Sequence, residues 1–150
     1  MRYSLLLLLF LSFSAVKAAD TSVPTSRLNS AVSTLSPAKD AIESGNFSKA
    51  IELLLAVDQK QSADWNNLMG YSLRKKSNPD LNEAEKYYQI ALNIDPKHRG
   101  ALEYYGELLL LKNDLNGAEI MLSRLDKACV FSCEEYRDLK KSIQQYKTKK

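Results

Sequence analysis

Two pairs of residues in this sequence have the type and spacing for chemistry. Cys129 and Cys133 are the only cysteines, and a thiol pair can close a disulfide, exchange electrons or bind a metal. Exchange pairs are usually Cys-x-x-Cys, and a zinc site would need two more ligands where His98 is the only histidine, so no metal site is expected. Glu103 and Glu107 stand at i and i+4, on one face of any helix that holds them, where two carboxyls could share a proton in a cleft. Solvated or ion-paired surface acids are the commoner outcome of that spacing. One histidine and no glycine-rich loop leave no triad and no phosphate cradle. A non-enzyme without cofactor is therefore expected, with His98, beside Pro96 and Lys97, an exposed turn or cap residue.

The elements that must position these residues are helical. In 150 residues, 45% are hydrophobic and 26% charged, enough for one globular domain, while 5 Gly, 4 Pro and one Trp are too few for a glycine-punctuated barrel or nucleotide fold. A formal charge of +3, from 21 basic and 18 acidic residues, is too balanced to argue for nucleic acid as a partner.

The N-terminus reads as an address. Arg2 precedes an apolar run from Tyr3 to Val16, shorter than the roughly 20 residues of a spanning helix, and Val16-Lys17-Ala18 offers small residues for cleavage after Ala18. Residues 1–18 are thus expected to be a signal peptide and the mature chain periplasmic, with a charge near +1 and no membrane insertion. Residues 19–35, rich in Ser and Thr, suit a linker, although Leu28, Ala31, Val32 and Leu35 fall at the spacing of a short helix.

From there the sequence repeats. Ala50, Ala84 and Ala118 recur at equal intervals, each within a similar stretch (Phe47-Ser-Lys-Ala50, Leu81-Asn-Glu-Ala84, Leu115-Asn-Gly-Ala118), and a fixed period of this length marks a helical repeat. Each is followed at +4 and +7 by Leu54 and Val57, Tyr88 and Ala91, or Leu122 and Leu125, one buried helical stripe per unit. Partner helices lie upstream, over Ala63 to Lys76 with Gly70 and over Gly100 to Lys112 with Gly106. Turn residues separate the helices of each pair at Ser44-Gly45-Asn46, Ser77-Asn78-Pro79-Asp80 and Asn113-Asp114. A mid-helix glycine costs about 1 kcal/mol relative to alanine, so Gly70 and Gly106 are read as points of close helix crossing.

These residues resemble the tetratricopeptide repeat family. Its signature is matched by Gly70, Ala84, Tyr88, Ala91 and Pro96 in the second unit, and by Leu102, Tyr105, Gly106, Ala118, Leu122 and Leu125 in the third. Small exported bacterial repeat proteins are similar around Lys97 to Tyr104 and Cys133 to Lys141. The resemblance implies an all-α superhelical solenoid of about three hairpins over residues 36–130, in units 36–62, 63–98 and 99–130. Departures from the signature lie at Pro37-Ala38, at two extra residues near Asn78-Pro79, and in the missing final proline of the third unit.

Residues 131–150 form a capping helix and basic tail. Ser132 with Glu135 three residues on makes a capping box, and Tyr136, Leu139, Ile143 and Tyr146 form an apolar stripe that would close the solenoid's end. The lysines and arginine of its other face are read as solvated. In an oxidising compartment Cys129 and Cys133, at the junction before this helix, are expected to form a structural disulfide that sets its angle.

In proteins resembling these repeats, the first helix of each pair lines a concave groove that takes a peptide or helix. That spacing picks Lys39 and Glu43 from the first unit, Asp64, Asn67, Tyr71, Arg74 and Lys75 from the second, and Glu103, Glu107 and Leu110 from the third. The lysine-asparagine carboxylate clamp of chaperone adaptors is matched only by Asn67. The function expected is a periplasmic scaffold or assembly factor binding another envelope or exported protein through this groove. The alternative is a redox-sensing or thiol-exchange protein using Cys129 and Cys133, and pairing with a second copy is a further alternative.

Overall fold

The computed structural model describes residues 26–57 and 59–149, with side chains described from Leu35 onward. Seven helices follow one another among the described residues: α1 Ser26–Glu43, α2 Phe47–Leu55, α3 Ala63–Lys75, α4 Leu81–Ile94, α5 Arg99–Leu111, α6 Leu115–Ala128 and α7 Glu134–Thr148. Successive helices pack as antiparallel neighbours, and α1 on α3, α3 on α5 and α5 on α7 form a second set of contacts. The result is an all-helical solenoid of three hairpins, with α7 standing where the first helix of a fourth would be.

The repeat is written in its caps and turns. Asn46, Asp80 and Asp114 each accept a bond from the backbone N–H three residues on, at 3.1, 3.0 and 2.8 Å, satisfying a donor that the helix start leaves unpaired. They recur at the same interval as the alanines one turn later. The turns inside the first and third hairpins carry a residue of positive φ, Gly45 at 72° and Asn113 at 63°. The equivalent residue of the second hairpin is Pro79, whose ring forbids that conformation. Its turn is two residues longer. The closing bond changes with it: Asn46 N–H reaches the Ala41 carbonyl and Asp114 N–H the Leu109 carbonyl, five back, whereas Asp80 N–H reaches the Leu73 carbonyl, seven back.

Three expectations need correction. Residues 26–35, read as a linker with a short helix left open, are helical and continuous with the first repeat helix, and Pro37 lies inside α1; Leu35 and Ala38 are buried with Trp65 and Leu54 in one cluster. The last helix is capped by Cys133, without a side-chain bond, and not by Ser132. The helix starts one residue later than that spacing implies: the Ser132 carbonyl accepts from Arg137 at 3.2 Å, and Glu135 turns to Arg99 at 3.5 Å. His98 is a cap but not an exposed one, with only 14% of its side chain accessible.

The interior falls into three clusters. Leu35, Ala38, Leu54, Trp65 and Met69 form the first, Ala84, Tyr88 and Leu108 a small central one, and residues of α4 to α7, including Leu102, Leu125, Leu139 and Ile143, the third. Gly70 and Gly106 sit at the crossings. A Cβ on Gly70 would meet Tyr88 Cε1 at 2.8 Å and the Ala84 carbonyl oxygen at 3.1 Å, whereas one on Gly106 would meet the terminal methyls of Leu139. Alanine gains about 1 kcal/mol of helix propensity at either site, against about 1–3 kcal/mol for overpacking. The buried Tyr88 ring and a backbone oxygen have little room to give, and Leu139 can turn its methyls. Gly70→Ala is therefore expected to lower the urea midpoint measurably and Gly106→Ala to shift it little.

Candidate functional site

The start of α2 and the first helices of the second and third hairpins bring a row of aromatic rings together. Phe47, at the start of α2, meets the Tyr71 ring edge-on with centroids 6.0 Å apart, and Tyr71 meets Tyr104 of α5 at 4.6 Å. All three rings are half-buried. The Arg74 guanidinium, one turn beyond Tyr71, lies 5.4 Å from the Tyr71 centroid and 5.6 Å from that of Tyr104. Its Nη2 donates to Glu107 Oε2 at 2.9 Å, and Glu107 Oε1 accepts from the Ser142 hydroxyl of α7 at 3.2 Å. Facing stripes produce this: Asn67, Tyr71 and Arg74 on α3, and Gly100, Glu103 or Tyr104, and Glu107 on α5, spaced by three or four residues.

Burial distinguishes these positions from a solvated surface. Arg74 is buried, as are Asn67 and Glu103, at 7% and 8% exposure. Arg74 is engaged within the chain by two rings and a carboxylate, so it orders the groove floor. Asp64 is exposed and accepts from His98 Nε2 at 3.0 Å, while His98 Nδ1 accepts from the Ala101 N–H. These two bonds assign the neutral tautomer with its proton on Nε2. Lys39, Glu43 and Lys75 are exposed and lie outside the ring-and-arginine cluster. Leu110 lines a cleft of about 270 Å³ with Arg74, Glu107, Ser142 and Tyr146.

Tyr104, Phe47 and Ser142 are the residues that the groove spacing missed. Tyr104 follows Tyr71 by the same separation at which Glu107 follows Arg74, the mark of facing positions on successive repeats. Ser142 belongs to α7, which continues the groove as a fourth wall.

Desolvation of Glu103, with the Glu107, Asp138 and Glu135 carboxylates close by, pushes its carboxyl up to about 8. Tyr104 is likewise pushed up to about 12, by burial first and then by Glu103. A carboxyl with its folded value raised takes up a proton on folding between its unfolded value, near 4.5, and about 8. Stability therefore falls as pH rises through that window and levels off above it. Glu103→Gln removes the effect. With solvent screening at this partly open position, the variant is expected to be about 1–3 kcal/mol more stable than the parent at pH 8.5 and nearly equal to it at pH 4.5, by urea titration at both.

Cys129 and Cys133 lie at disulfide distance across the α6–α7 turn, with Cα atoms 5.8 Å apart. Among the described residues no group of His, Cys, Asp and Glu has the arrangement to hold a metal ion, and no helix is long and apolar enough to cross a membrane.

This architecture defines an all-helical, tetratricopeptide-like solenoid. No family model matches the sequence, and no curated protein sequence is significantly similar to it. Solved structures are similar. The type III secretion translocator chaperone SycD of Yersinia enterocolitica matches with a TM-score of 0.68 and 16% identity, over 89% of this chain and 96% of that one. SycD in complex with a peptide of the translocator YopD matches with a TM-score of 0.64 and 18% identity, over 86% and 98%. The periplasmic placement read from the N-terminus is corrected by these matches, since type III secretion chaperones point away from it. Residues 1–18, which carried that expectation, lie outside the described residues.

Proposed function

We propose that this chain is a non-catalytic peptide-binding module that holds a segment of another protein along the face formed by α1, α3, α5 and α7. The observation that carries the reading is the row of half-buried rings, Phe47, Tyr71 and Tyr104, running across three hairpins beside a fixed guanidinium. Half-buried aromatics on rigid helices offer apolar area at low entropic cost, the usual chemistry of a binding hot spot. The SycD match in complex with a translocator peptide supports the same use of the fold. Asn67, Tyr71, Arg74, Glu103 and Glu107 belong to this face in our reading, with Arg74 and Glu107 shaping it, and Lys75 lies at its margin. No observation favours thiol exchange at Cys129 and Cys133 over this function.

The test is selection of displayed random dodecapeptides on the immobilised full-length protein, beside a Tyr71→Ala/Tyr104→Ala variant of unchanged helicity. Removal of two ring anchors is expected to weaken selected peptides at least tenfold, given about 1–2 kcal/mol or more for each. Peptides that bind both proteins equally would refute the reading.

A further inference from the structure

Resting on that groove reading, we propose that Glu103 is its charge-reading position and takes the ammonium or guanidinium of a lysine or arginine in the bound segment. Glu103 is 8% exposed and makes no hydrogen bond or ion pair among the described residues. The folded chain supplies the Glu103 carboxyl no hydrogen-bond partner, and a charge held at this depth is costly even where the oxygens reach the surface. The groups facing it are Tyr71 and Arg74 from α3, Tyr104 and Glu107 on its own helix, and Glu135 and Asp138 from α7. The one cation among them, Arg74, gives its Nη2 to Glu107 at 2.9 Å, keeps a buried Nε–H without a partner, and makes no hydrogen bond to Glu103. Arg99, the nearest other cation in sequence, is committed to Glu135 at 3.5 Å.

A second, independent observation points to a missing donor. Asn67 lies on the face of α3 that meets α5; a Cβ on Gly100, one turn before Glu103, would lie 3.1 Å from its Nδ2. Its Oδ1 is buried and has no hydrogen-bond partner. Polar atoms so buried are normally paired. Once Glu103 is ionised, its carboxylate and the unpaired Asn67 amide oxygen along one helix seam both accept N–H groups, and a lysine ammonium offers three, an arginine guanidinium five. The Tyr71 and Tyr104 rings give the aliphatic stem of such a side chain apolar and cation–π contact. The occupant this fits is an otherwise apolar segment with one cationic residue seated at Glu103.

Peptides selected as above by the full-length protein and lost on Tyr71→Ala/Tyr104→Ala are the probes. They are expected to share a lysine or arginine at one position. Replacing that residue by norleucine should weaken binding to the parent about tenfold or more and leave binding to Glu103→Gln, an isosteric variant checked for helicity, little changed. Below pH 8 the free protein holds Glu103 protonated and a cationic guest expels that proton, so affinity should rise by up to about tenfold per pH unit from pH 6 and level off above 8. With Glu103→Gln the profile should be flat. Groove-dependent peptides without a shared cationic position, or a norleucine penalty equal in parent and Glu103→Gln, would overturn the proposal and leave the groove reading standing. A selection yielding no peptide that distinguishes parent from the Tyr71→Ala/Tyr104→Ala variant would overturn both.

Discussion

Trp65→Ala is expected to destabilise the fold by about 3–5 kcal/mol, the range for emptying a buried indole site. The side chain is 1% exposed and is the centre of the first cluster, against Leu35, Ala38, Leu54 and Met69, with Tyr87 edge-on at 5.8 Å. It also ties two hairpins: its Nε1–H donates to the Leu54 carbonyl at 2.9 Å, one of the last carbonyls of α2. That carbonyl also accepts from the Val57 N–H at 3.2 Å, so the indole supplies its second bond. Truncation therefore opens a cavity and removes a hydrogen bond together. Trp65→Phe keeps most of the ring and should cost about 1–2 kcal/mol. Because Trp65 is the only tryptophan, urea unfolding of these variants should be followed by far-UV circular dichroism. A loss below about 1 kcal/mol for Trp65→Ala would mean that the α2–α3 junction is not held as described.

Arg74→Met should come next, at about 2–4 kcal/mol, somewhat under the loss for a wholly buried pair because Glu107 keeps 27% of its side-chain surface. Methionine fills the space beside the Tyr71 and Tyr104 rings but leaves the Glu107 carboxylate without its cation. The large effect is thus the carboxylate left behind. Adding Glu107→Gln to Arg74→Met should recover most of the loss, and a double-mutant cycle at pH 7 should give a coupling of about 1–3 kcal/mol. Additive losses would show that the two side chains act independently.

The solenoid was legible in the sequence because its period is imposed by packing: a small residue must recur wherever paired helices touch, and Ala50, Ala84 and Ala118 mark those points. The caps recur for the same reason, since every helix start leaves the same donors unpaired. The ends were less legible. At the first repeat, Pro37 and a Ser/Thr-rich composition argue locally against helix, yet Leu35 and Ala38 bury against Trp65, and tertiary burial outweighs propensity. At the last, Ser132 and Glu135 have the spacing of a capping box, but Glu135 is drawn to Arg99 on α5 and the helix starts at Glu134. The groove-facing spacing of the resembling family also singled out Asn67, Tyr71, Arg74, Glu103 and Glu107. It did not show that Arg74 is consumed by Glu107, because ion pairing depends on the offset between neighbouring helices, here carried across the lengthened second turn. Tyr104 was hidden by the same offset.

The division of the interior into three islands bears on how this molecule comes apart. A protein with one continuous core tends to melt as a unit, whereas a row of cores joined end to end behaves as a set of coupled switches. Tyr88 and its two neighbours, Ala84 and Leu108, are the narrow link between the larger islands. Amide exchange in α1 and α2 should accordingly proceed by opening events that leave α5 to α7 protected, so the aromatic row can part between Phe47 and Tyr71 while the carboxyl cluster stays assembled. A long segment could then be laid into the face from its C-terminal end first, without the whole fold being given up.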